Sequence, residues 1–162
     1  MKVFIIECLI FVVLFTVVVV TIAKNTNPVS WVFNYPQPII DRCFELGLIP
    51  SNKNVRGPKV YAKKSIVVVL AGVLLGFVVK YFNGAEGFLE GFLLSYGIWL
   101  VVDWFDVLID IVWFCHDKSL IIPGTEDLTD AYHDYMFHVK ASARGMLFGL
   151  GMAAIAGIIT AL

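Results

Sequence analysis

Asp103, Asp106 and Asp110 interrupt a hydrophobic run from Phe88 to Cys115. A carboxylate at membrane depth costs free energy and is rarely kept without a partner or a job. At 100° per residue the three fall at about 0°, 300° and 340° around a helix, so they share one face. Asp117 continues the stripe near 320°. Asp103 and Asp110 stand roughly 10 Å apart along the axis at 1.5 Å per residue. Three ionised carboxylates that close repel one another, so protons or cations must neutralise them.

A second polar stripe follows in SLIIPGTEDLTDAYHDYMFHVKASARG. Pro123-Gly124 predicts a turn, and Thr125 is expected to cap a helix with Glu126 and Asp127 in its first turn. If that helix runs unbroken into the last apolar stretch, Asp130, His133, Asp134 and His138 gather on one side, at about 0°, 300°, 40° and 80°. Asp134 and His138 are four apart, a spacing from which two side chains reach one ion. Acid and acid/histidine stripes on facing antiparallel helices predict a divalent metal site built from Asp103, Asp106, Asp110, Asp130, His133, Asp134 and His138. Carboxylate with imidazole suits Zn, Mn or Fe, and carboxylates alone suit Mg with phosphate. The pattern is not HExxH and lacks the Glu-x-x-His pair of di-iron bundles. Two other readings stay open: a network with tyrosines, Lys140 and Arg144 that only fixes helix packing, and a proton or ion path. No haem is expected, because no two histidines lie deep in facing spans, and no nucleotide is expected.

These residues need helices to hold them, and composition says the solvent is lipid. Of 162 residues, 59% are hydrophobic and 15% charged, and mean hydropathy is +0.85, against about 45–50% apolar and about 25% charged in soluble domains. We read an all-α, single-domain membrane bundle over 1–162. Its four spans are expected at about 3–23, 65–82, 88–115 and 141–162, each near the ~20 residues that cross hydrocarbon. The first has a long apolar core and a poor cleavage site at Thr21-Ile22-Ala23, so it is read as a retained helix. Asn83-Gly84-Ala85-Glu86-Gly87 predicts a tight hairpin between spans two and three. Gly72/Gly76, Gly87/Gly91 and Gly145/Gly149 predict close helix contacts, within the chain or in a homo-oligomer. Glu7 is expected to snorkel to the outer face. Cys8, Cys43 and Cys115 form no CxxC and read as small apolar residues with free thiols.

Charge orients the bundle. Ten of the twelve Lys and Arg residues fall in the connections 24–64 and 118–144, and only Lys2 and Lys80 fall on the other side. Both termini are therefore expected outside and both long connections in the cytoplasm. In the first connection, residues 38–48 predict a cytoplasmic-side interfacial helix. Pro38 would open it and Gly47 close it, and Ile39, Ile40, Cys43, Phe44 and Leu48 would share its apolar face. The basic strip after it, Lys53, Arg56, Lys59, Lys63 and Lys64, joined by Arg144, is a candidate contact for an anionic headgroup. Membrane lipids are the expected partners, and no nucleic acid is expected.

The segments YPQPIIDRCFELGLI, DWFDVLIDIVWFCHD and IPGTEDLTDAYHDYMFHVKASARG resemble an uncharacterised family of small bacterial polytopic membrane proteins. Its members share an Asp-Trp/Asp segment late in one span, a Pro-Gly-Thr-Glu turn, a Tyr-x-Asp-Tyr and a His before a Gly-rich last span. The resemblance implies the architecture and no activity. The function expected from the residues is a metal-dependent membrane enzyme acting on a lipid or lipid-linked substrate. The alternatives are an ion- or proton-coupled transporter or channel subunit, or a structural subunit without chemistry.

Overall fold

Lipid offers a backbone amide no hydrogen-bond partner, so each apolar run must satisfy its own N–H and C=O groups as a helix. Four runs do so in the computed structural model, which describes residues 2–51, 53 and 57–162, without the side chains of 59 and 60. They are α1 (Lys2–Asn25), α3 (Pro58–Asn83), α4 (Phe88–Ile109) and α6 (Tyr135–Ala161). All four are long and apolar enough to cross a membrane. The protein is an all-helical, polytopic membrane bundle.

The hairpin between α3 and α4 turns where the sequence places it. Gly84 ends α3 at φ 69°, in the left-handed region that glycine reaches without strain. α6 then packs against both α3 and α4, and α1 lies along α4. Glycines set these distances. A Cβ on Gly72 would stand 2.7 Å from the Met152 carbonyl oxygen, and one on Gly76 2.9 Å from the Ile159 Cβ. Gly145 and Gly149 would meet Asp103 and Trp99 in the same way. The GxxxG pairs at 72/76 and 145/149 thus serve contacts within the chain, whereas nothing lies within 4 Å of a Cβ on Gly87.

The two long connections fold together at one end of the bundle. Asn27 accepts a hydrogen bond from the Val29 N–H and starts a 3-10 segment, Pro28–Asn34. Pro38 lies in the first turn of α2 (Gln37–Glu45). Gly47 closes it at φ 68°, with the Leu48 N–H bonded to the Cys43 carbonyl at 2.9 Å. Ile39, Ile40 and Cys43 are fully buried against Tyr35, Leu120 and Ile122. The helix forms as expected; Ile39, Ile40 and Cys43 of its apolar face meet protein, while Phe44 and Leu48, with Leu46, are exposed. Arg42 clamps this cap with two bonds to Asp127 at 3.2 and 3.1 Å.

The segment before the last span differs more. Thr125 caps no long helix; it is buried, donates to the Ile122 carbonyl at 2.7 Å and meets the Tyr132 hydroxyl at 2.6 Å. A single turn, α5 (Thr129–Tyr132), follows. The chain then breaks at His133 and Asp134, so the expected unbroken helix does not form, and α6 starts at Tyr135. Asp134 stops the preceding turn from continuing by capping the new helix, accepting from the Phe137 N–H at 3.0 Å.

Overpacking at a helix contact costs about 1–3 kcal/mol. Gly149→Leu, which collides with Trp99, should therefore lower the melting temperature of the detergent-solubilised protein. Gly151→Ala, which meets nothing within 4 Å, should hold or raise it, because alanine is the better helix former by roughly 1 kcal/mol. Equal losses from the two would disprove the close α4–α6 contact.

Candidate functional site

Antiparallel register decides what each acid on α4 meets. Trp99 stands opposite Gly149, Asp103 opposite Gly145 and Asp110 opposite His138. Steps of four and seven on α4 are matched by equal steps back along α6, the 3.5-residue rhythm of antiparallel bundles. The Ser142 hydroxyl donates to Asp103 Oδ2 at 2.5 Å. Trp99 Nε1 donates to the Gly145 carbonyl at 3.2 Å. His138 Nδ1 donates to Asp110 Oδ2 at 2.7 Å, with the imidazole 5% and the carboxylate side chain 24% exposed. Asp106 lies between these two pairs, within electrostatic reach of Asp103, Asp110 and His138. Among the described residues it makes neither a hydrogen bond nor an ion pair.

The end of α4 is not α-helical. Asp110–Phe114 forms a π turn, closed by the Cys115 N–H on the Asp110 carbonyl at 2.9 Å. Such turns are rare and concentrate at functional sites. In an α-helix, residues five apart point about 140° away from each other. The wider turn brings Cys115 back toward the face that carries Asp110. The Phe114 ring packs 5.9 Å from the His138 imidazole. Sequence reasoning passed over Cys115, because the five-residue spacing from Asp110 means nothing until the turn is known to be π.

Of the seven expected ligands, the fold brings together Asp103, Asp106, Asp110 and His138. Asp130, His133 and Asp134 lie elsewhere and are exposed. The break at 133–134 is the reason, since it resets the rotation that an unbroken helix would have kept. Asp134 is occupied as the α6 cap. The His133 ring lies 4.9 Å from that of His116, whose Nε2 is 3.2 Å from the Tyr135 hydroxyl. Among the described residues, no group of three or more His, Cys, Asp or Glu side chains is arranged to hold one metal ion.

The remaining polar residues sort by contact. Asp117 leaves the acid stripe for the cap. The Ser119 hydroxyl and N–H, then Trp113 Nε1 and the Lys24 ammonium at 3.8 Å, hold its carboxyl below the usual range. Lys53, Lys63 and Lys64 are exposed, with the Lys64 ammonium 5.9 Å from the Phe33 ring. Arg56 and the side chain of Lys59 lie outside the described residues. Arg144 turns its Nε to the Lys140 carbonyl at 3.1 Å. Glu7 does not snorkel. It is buried, and Asn83 Nδ2 donates to both of its oxygens at 2.7 and 2.6 Å. No family model, no curated protein and no solved structure matches the chain.

Removing one partner of a buried ion pair is costly because the other is stranded. Asp110→Ala should destabilise by about 3 kcal/mol, the low end of that range, since the carboxylate keeps some solvent access. Asp110→Leu/His138→Leu should recover part of the loss, whereas Asp130→Ala should stay within about 0.5 kcal/mol of wild type. Urea unfolding in bicelles measures all three, and a costly Asp130→Ala beside a neutral Asp110→Ala would contradict the assignment.

Proposed function

We propose that the protein is a membrane-embedded enzyme acting on a lipid or lipid-linked substrate, with His138 as the group that moves a proton. The Asp110–His138 pair carries this reading. The carboxylate occupies Nδ1 and fixes the ring, which leaves Nε2 to exchange a proton with a reacting group. The pair lies where the bundle meets the cap, beside the Phe114 ring. The Asp110 side chain keeps 24% of its surface exposed, and a lipid headgroup would reach the pair there. Lys53, Lys63, Lys64 and Arg144 would draw an anionic headgroup to the same end, and Arg56 and Lys59 belong to the same basic strip of the sequence. The ten-to-two charge asymmetry supports a cytoplasmic position for that end and an outside one for both termini.

A divalent ion such as Zn, Mn, Fe or Mg would find carboxylate oxygen at Asp106 and would need lipid phosphate or water for the rest of its shell. Elemental analysis of tag-free protein beside Asp106→Ala tests that version. The absence of a bonded partner at Asp106 favours one second reading, a proton or ion path through the acid layer.

Reconstitution decides between the two. In vesicles of bacterial phospholipid extract, wild type should convert a lipid species visible by mass spectrometry. His138→Gln and Asp110→Asn should slow the conversion by about 10²–10⁴-fold, the usual worth of a positioned acid–base group, and Asp130→Asn should not. No lipid conversion, together with proton flux abolished by Asp106→Asn, would replace the enzyme with the ion path.

A further inference from the structure

We propose that His116, His133 and Tyr135 form a binding site for one divalent transition-metal ion, zinc or copper, where the bundle meets the cap. The site shares no residue with the Asp110–His138 pair and does not depend on the enzyme reading. Its ligands come from two stretches of chain. His116 follows the π turn that ends α4. His133 lies in the break between α5 and α6, and Tyr135 is the first residue of α6. The fold brings the three rings together. The His116 and His133 ring centres stand 4.9 Å apart, and the Tyr135 ring centre lies 6.1 Å from the first and 6.2 Å from the second. His116 Nε2 is 3.2 Å from the Tyr135 hydroxyl.

These distances match the spacing of ligands around one ion. A tetrahedral zinc ion with nitrogen and oxygen ligands at about 2.0–2.1 Å holds its ligand atoms roughly 3.3 Å apart. His116 Nε2 and the Tyr135 oxygen already stand at 3.2 Å. Two imidazoles on one such ion have ring centres about 5 Å apart, and the two rings here are at 4.9 Å. The ion takes the place of the proton that now bridges His116 and Tyr135, and that proton leaves to solvent. Access is open, because His116 and His133 are exposed and Tyr135 is 39% exposed. Imidazole nitrogen suits zinc and copper, and copper binds such sites more tightly. Three protein ligands leave a tetrahedral ion one position for an oxygen ligand from solvent. An occupied site would tie the end of α4 to the start of α6 across the break at His133 and Asp134.

The test uses the tag-free full chain in detergent, titrated with Zn(II) against a zinc indicator and, separately, with Cu(II). Zinc should bind the wild type and raise its melting temperature, since an ion held only by the folded state stabilises it. His116→Ala and His133→Ala should each weaken zinc binding roughly tenfold or more, because even outer-shell partners of a metal are worth about 10–100-fold. Asp130→Ala and Asp106→Ala should leave this binding unchanged, which separates the site from any ion held in the acid layer. Bound Cu(II) should show nitrogen superhyperfine splitting in its electron paramagnetic resonance spectrum. A wild-type chain that takes no zinc from the indicator, or whose copper spectrum carries no nitrogen splitting, would overturn the proposal without reliance on any variant. So would equal zinc affinities in wild type and His116→Ala/His133→Ala, which would mean that the three rings make a packing contact only.

Discussion

A carboxylate at bilayer depth is costly without a partner, and the close approach of α4 and α6 supplies one to Asp103 and to Asp110. Between helices in lipid there is no hydrophobic drive, so contact rests on close packing and on hydrogen bonds across the seam. Gly145 and Gly149 supply the closeness by leaving room for Asp103 and Trp99. Ser142 and His138 supply the partners, to Asp103 and Asp110. Two polar residues followed by two glycines on α6 thus face an acidic and aromatic stripe on α4. The same constraint acts at the other end of the bundle, where Asn83 satisfies Glu7.

The cap obeys different physics. Its core of Tyr35, Ile39, Ile40 and Ile122 is buried protein against protein, as in a water-soluble domain, and polar bonds complete it. The Tyr35 hydroxyl donates to the Leu120 carbonyl at 2.8 Å, and burial pushes that phenol up, so it stays a neutral donor. The π turn joins the two regimes. It takes the end of α4 out of its 3.6-residue rhythm, sends Phe114 into the cap core and bonds the Cys115 N–H to the Asp110 carbonyl. The polar layer therefore lies at a seam between a lipid-solvated bundle and a self-packed cap, with His138 as the residue both sides touch.

The legible parts of the sequence were those governed by local periodicity and solvent. Four apolar runs of bilayer length, the Gly84 turn, and a short helix opened by Pro38 and closed by Gly47 all followed from composition and spacing. So did the shared face of Asp103, Asp106 and Asp110, because one unbroken helix carries them. The glycine pairs announced close contacts, though not which helix would fill them.

What the sequence by itself determined, then, was a membrane bundle with an acid stripe awaiting partners. Only the tertiary structure chose the partners. The phase of Asp130, His133 and Asp134 depended on a helix that breaks at His133 and Asp134, and that break rotates everything before it away from the site. The place of Cys115 depended on a π turn stabilised by packing of Phe114, not by any local preference. The burial of Glu7 depended on an amide 76 residues distant in the chain. Each of these turns on a long-range contact, and a residue's periodicity reports only the neighbours that its own helix provides.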